Sequence, residues 1–151
     1  EQFVMVMPPY AGQQDALYES VVAAASTVPN LTLIARQLPI DEVDTLFATA
    51  KVFINTSEVE GFPTTFLQAA AAGVPVASLS VDPDSYLARE RAGFVANGDF
   101  EELSSAVSSA VQSDAWIEVG RRHWEYARAT HSIEVCAEQL ELAIRQCLED
   151  R

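Results

Sequence analysis

The stretch SEVEGFPTTFLQAAAAGVP, Ser57 to Pro75, gathers residue types suited to holding a ligand. Glu60 supplies a carboxylate. Gln68, eight positions later, supplies an uncharged amide whose carbonyl accepts hydrogen bonds. Gly61 lets the backbone approach a ligand closely. Pro63 suits the first position of a helix, and the N–H groups of Thr64, Thr65 and Phe66 would then point at an anion. Ala69 to Ala72 would let that helix lie close to a sheet. The plainer alternative is a loop with a helix cap and no ligand, and chemistry alone does not separate the two.

These residues need a frame. "FVMVM" (Phe3–Met7) is an apolar run stopped by Pro8 and Pro9, so it reads as a buried strand. Gln13 to Ala25 suits a helix with Leu17, Val21, Val22 and Ala25 on one face. "LTLIA" (Leu31–Ala35) is a second strand. Asp41 is placed to N-cap a helix carrying Val43, Leu46, Phe47 and Ala50. "KVFIN" (Lys51–Asn55) is a third strand. Phe66 to Ala72 is helix, ended by Gly73 with Pro75 beyond. "PVASL" and "GFVA" are the fourth and fifth strands, separated by a turn and short helix in "DPDSYLARE". Helices follow over 101–112, 115–129 and 133–149.

Strands alternating with helices imply parallel crossovers, and near-continuous apolar strands imply a sheet covered on both faces. The expected fold class is therefore α/β, a Rossmann-like three-layer sandwich with a five-stranded parallel sheet in the order 2-1-3-4-5. Ligands of such sheets bind at the carboxyl ends of the strands. Ser57–Thr65 follows the third strand directly.

Nine basic and 22 acidic residues give a net charge of −13, which disfavours nucleic acid and anionic lipid surfaces as partners. Any phosphate must be held locally, by backbone N–H groups at a helix N-terminus. The chain has 151 residues, 49% of them hydrophobic, in keeping with one domain and one core. No apolar run approaches a transmembrane segment and no signal segment opens the chain, so the expected location is cytoplasmic. Cys136 and Cys147 lie in one predicted helix, roughly 16 Å apart along its axis. That is too far for a disulfide with each other, and they read as half-buried thiols. His123 and His131 lack metal-ligand spacing and read as helix-surface or helix-end residues. Asp82-Pro83-Asp84 reads as a turn and N-cap rather than a metal site.

"VFINTSEVEGFPTTFLQAAAAGVPVASL" resembles the donor-binding segment of GT-B glycosyltransferases of family 4, the glycosyl transferases group 1. "PNLTLIARQLPIDEVDTLFATAKVFI" resembles the strand, turn and helix before it. "AGFVANGDFEELSSAVSSAVQSD" and "YARATHSIEVCAEQLELAI" resemble the strand and helices after it. The resemblance covers nearly the whole chain. It implies that Ser57, Glu60, Gly61, Phe62, Pro63, Thr64, Thr65 and Gln68 bind substrate, a nucleotide-sugar donor with UDP, GDP or ADP. Glu60, the catalytic candidate, matches the first acid of a pair and would contact sugar hydroxyls. Gly61 and Phe62 match backbone lying against the sugar and diphosphate. Thr64 and Thr65 fall where helix N-terminal amides meet the diphosphate. No metal or other cofactor is implied.

Three departures qualify the match. Gln68 stands where the family has its second acid, which accepts hydrogen bonds from the ribose. Ala35 stands where a Gly is usual, which leaves Arg36 to Leu38 only weak base-pocket candidates. The family's Arg and following Lys at the diphosphate have no counterpart, since no basic residue precedes Arg36. The chain therefore reads as one donor-binding domain over 1–151, with closing helices from about 115 to 149. It would lack the first strand–helix unit of that domain and the N-terminal acceptor-binding domain; the other possibility is a natural, degenerate relative of the donor site. The implied activity is that of a retaining glycosyltransferase of hexosyltransferase type, with this fragment alone inactive. The alternative from another class is a non-catalytic doubly wound interaction domain.

Overall fold

A computed structural model describes residues 1–9 and 16–149. The start of the first expected helix, 13–15, lies outside the described residues. The chain divides into two units, Glu1–Val43 and Asp44–Arg151.

In the first unit, β1 (Phe3–Val6) and β2 (Leu31–Ile34) form a parallel pair with Phe3 opposite Leu31 and Val6 opposite Ile34. Met7 N–H donating to the Ile34 carbonyl extends the ladder. The crossover helix is α1 (Ala16–Ser26). α2 (Ile40–Thr49) begins one residue before Asp41. The Val43 N–H donates to the Pro39 carbonyl at 3.1 Å, so Asp41 sits in the first turn rather than at the cap. An acid there still favours the helix N-terminus.

In the second unit, β3 (Phe53–Asn55), β4 (Val76–Ser78) and β5 (Gly93–Val95) form a parallel sheet in the order β3-β4-β5. β4 is central, and its three residues are fully buried. Phe47, Phe53 and Phe66 meet edge to face at 5.4 and 6.1 Å between ring centres, an arrangement that suits the aromatic quadrupole.

The strands thus form two parallel sheets, of two and three strands, rather than the expected single sheet of five. Among the described residues no ladder joins β1 to β3. A central strand is paired on both edges and covered on both faces. β1 is paired on one edge, and its Val4, Met5 and Val6 are exposed. The apolar run records a strand's preference for burial but carries no information about a second partner.

α3 (Thr64–Ala71) starts two residues earlier than expected. It ends in a Schellman motif: Val74 N–H donates to Ala69 O at 2.8 Å, Gly73 N–H donates to Ala70 O at 2.9 Å, and Gly73 has φ +70°. α4 (Tyr86–Arg89) follows a tight turn, α5 (Phe100–Gln112) is capped by Asp99, and α6 (Ala115–His131) and α7 (Ile133–Glu149) close the chain. α6 packs on α3. Closeness is enforced at Gly120, where an added Cβ would lie 1.9 Å from the Gly73 carbonyl oxygen. On α3, Ala69 and Ala70 are fully buried, whereas Ala71 and Ala72 are exposed. Small residues therefore matter only at the first two of the four expected positions. Cys136 and Cys147 are both exposed on α7, not half-buried. Among the described residues no helix is long and apolar enough to cross a membrane.

Candidate functional site

The carboxyl end of β3 is Asn55, a buried polar side chain. A buried amide needs partners, and Asn55 finds them in the loop that follows. Its Nδ2 donates to Glu60 Oε1 at 2.7 Å, and its Oδ1 accepts the Ser57 N–H at 3.2 Å. The Ser78 hydroxyl at the end of β4 approaches the same Oδ1 at 3.5 Å and accepts the Val81 N–H at 3.0 Å. Ser57 and Glu60 are thereby brought together on one anchor at the strand ends. Glu60 is otherwise exposed, with a free face on its carboxylate.

Pro63 is the N-cap of α3 rather than its first residue, with φ −66° and ψ 117° and no side-chain cap. Phe66 N–H is not available to an anion, because it donates to the Pro63 carbonyl at 3.0 Å. Thr64 and Thr65 remain as the first two helical residues, their amides receiving no cap. Gly61 has nothing within 4 Å of where a Cβ would stand, so its backbone borders open space. Gln68 is half-buried and is the fifth residue of α3, little more than one turn in. No hydrogen bond joins it to Glu60.

Phe62 is held by aromatic rings from α4 and α6. Its ring lies nearly parallel to Tyr86, 10° apart in plane and 6.0 Å between centres, and 5.2 Å from His131. Tyr86 in turn stacks on Tyr126 at 4.3 Å and 6°. Behind them is His123, which is fully buried and not on the helix surface as expected. A carbonyl only accepts, so His123 Nδ1–H donates to Val74 O at 2.8 Å, and Nε2 accepts the Tyr86 hydroxyl at 3.0 Å. Burial pushes the His123 pKa down, partly opposed by the Val74 carbonyl, and the ring is neutral at neutral pH. Burial likewise pushes the Tyr86 phenol up, helped by neighbouring Tyr126 and Asp82. Asp82 caps α4, accepting Leu87 N–H at 2.8 Å and Ala88 N–H at 3.3 Å, which is the turn-and-cap role expected of it. In the first unit, Arg36 is paired with Glu42.

Asn55, Tyr86, His123 and Tyr126 were not legible as site residues. The one available signal was His123 on the inner stripe of α6, at helical spacing from Trp116, Val119, Gly120 and Ala127.

Residues 9–113 match the family model described as glycosyl transferases group 1. The chain belongs to the glycosyl transferases group 1 family. Among curated proteins this group 1 chain is 24% identical over 139 residues to the O-antigen chain mannosyltransferase B of Escherichia coli, covering 91% of the chain and 36% of that protein. Among solved structures it is similar to a chain in the crystal structure of a GtfA/B complex, with a TM-score of 0.54 and 16% identity. That likeness covers 95% of this chain and 36% of the other, and it shows a shared α/β fold of the GT-B kind. The chain spans about a third of the length of these relatives.

Proposed function

We propose that residues 1–151 are the nucleotide-sugar donor-binding domain of a retaining GT-B hexosyltransferase. In the complete protein a hexose would pass from a UDP-, GDP- or ADP-sugar to an acceptor bound by another domain. The observation that carries this reading is the Asn55–Glu60 hydrogen bond, 2.7 Å long, which fixes a carboxylate at the end of β3 and just ahead of two uncapped amides of α3.

Each residue then has a task. Glu60, one oxygen tied to Asn55, keeps the other free to accept hydrogen bonds from sugar hydroxyls. The Gly61–Phe62 backbone lies against the sugar and diphosphate. The amides of Thr64 and Thr65 meet the diphosphate, and the helix N-terminus favours the negative charge that builds on it as the glycosidic bond breaks. With a net charge of −13, such local donors must do what bulk charge does not. Gln68 offers the ribose an uncharged acceptor. The mannosyltransferase relative supports a hexose donor. A cytoplasmic location fits a nucleotide-sugar user and belongs to the same proposal.

The test is a melting experiment on this chain with UDP, GDP and ADP. A ligand present at about 100 times its Kd stabilises the fold by ~2.7 kcal/mol. One nucleotide is expected to raise the melting temperature. Silence with all three at millimolar concentration rejects the donor-site reading.

A further inference from the structure

We infer that Tyr86, Tyr126 and His131 are positioning residues for the loop 56–63, acting through the side chain of Phe62; this rests on the donor-site reading above. Among the described residues, no backbone–backbone hydrogen bond engages positions 56–62. The loop is solvent-exposed at Val59, which is 88% accessible, and open at Gly61. A segment with so few bonds keeps one geometry only where its side chains are tied down.

Beyond the Ser57 N–H on Asn55 Oδ1, two loop side chains are tied down among the described residues, and they flank Gly61. On its N-terminal side, Glu60 is bonded to Asn55 at the end of β3. On its C-terminal side, Phe62 is the outermost of three near-parallel rings, Phe62, Tyr86 and Tyr126, with His131 against both Phe62 and Tyr126. The first tie is polar and belongs to the sheet. The second is aromatic and belongs to α4 and α6. Phe62 is 38% accessible, so its stack is a surface anchor rather than part of the core. Tyr86 is itself fixed in the core by its hydroxyl on His123. The peptide units of Gly61 and Phe62 hang between the two ties, bordering space that a Cβ would not fill.

Residues at the end of α6, some seventy positions from the loop, therefore set where the Gly61–Phe62 backbone presents itself. None of the three needs to touch donor. Loss of an anchor acts on the part of the donor that this backbone faces, the sugar and diphosphate, and leaves the contacts of the base and ribose in place.

The experiment uses the full-length protein with 4-fluorophenylalanine at position 62, which gives a fluorine resonance sensitive to the stacked rings. His131→Ala and Tyr126→Ala are compared with His131→Phe and Tyr126→Phe, which keep a ring. Binding of UDP-, GDP- and ADP-hexoses and of the nucleosides uridine, guanosine and adenosine is titrated in each. The alanine variants are expected to move the resonance toward that of solvent-exposed fluorophenylalanine and to weaken nucleotide-sugar binding about ten-fold. Nucleoside binding should stay within about two-fold, and the ring-keeping variants should restore both readouts. The inference is overturned if the resonance does not move. It is also overturned if the resonance moves while nucleotide-sugar affinity holds, or if the ring-keeping variants behave like the alanines. Should no nucleotide sugar bind the unsubstituted protein, the donor-site reading fails, and the fluorine signal alone decides whether the anchor exists.

Discussion

Asn55→Ala removes the side chain on which the front of the site hangs. Its Nδ2 bond to Glu60 is short but ends on an exposed carboxylate, so screening keeps it near ~1 kcal/mol. The Ser57 N–H loses its acceptor in a part-buried setting, which costs about another 1 kcal/mol. The Ser78 contact at 3.5 Å is too long to add much, and Ser78 keeps its bond to Val81. The expected loss is therefore about 2 kcal/mol, which for a chain of this size lowers the melting temperature by roughly 4–8 °C. A double-mutant cycle with Glu60→Ala isolates the shared bond. Urea unfolding of the four proteins should give a coupling of about 1 kcal/mol. Asn55→Asp serves as a control that keeps an acceptor for Ser57 but opposes two carboxylates, and it should raise the urea sensitivity at least as much as Asn55→Ala. A coupling below about 0.3 kcal/mol, within the error of additivity, would refute the role given to Asn55.

Further outcomes are expected at Gly120, at Gly61, at His123 and at the Glu60 and Gln68 pair. Gly120→Ala should destabilise the fold by about 3 kcal/mol or more, because its Cβ meets the Gly73 backbone at 1.9 Å. Gly61→Ala, with nothing within 4 Å, should melt like the parent and lose only ligand affinity; calorimetric unfolding checks both. Buried neutral His123 has a pKa below its unfolded value of about 6.5, so unfolding takes up a proton once the pH falls below that value. Stability from this group is complete above about pH 6.5 and is lost progressively as the pH drops toward the folded pKa. Urea midpoints should fall between pH 7 and pH 5, and less so in His123→Gln. In the full-length protein, Gln68→Glu should tighten bare-nucleotide binding by roughly 1 kcal/mol as a neutral hydrogen bond becomes charge-assisted. Glu60→Ala should weaken only the nucleotide sugar, and titration calorimetry that finds equal effects on bare nucleotide would reject the division of roles.

The sequence by itself determined what short-range rules govern. The α7 limits and the C-terminal end of α5 coincide with those read from periodicity, because an amphipathic stripe and its breaker lie within a few residues of one another. Gly73 ends α3 as expected, since only a residue tolerant of φ +70° fits that cap. The parallel pairing of β1 with β2 and of β3, β4 and β5 in turn follows from the crossover pattern, and the group 1 motif at Glu60 to Gln68 is contiguous in the chain. Only the tertiary structure decided the rest. His123 meets Val74 and Tyr86 across 49 and 37 positions, and a histidine on a helix reads as surface until those partners arrive. Asn55 reads as the last residue of a strand, and nothing local marks it as the residue that holds Glu60. Phe62 reads as part of a motif, while its stack on Tyr86 depends on α4 and α6 folding back beside it. The division into two sheets is of the same kind. A run such as "FVMVM" specifies an extended, apolar strand, but which edges find partners depends on long-range packing that no local pattern encodes.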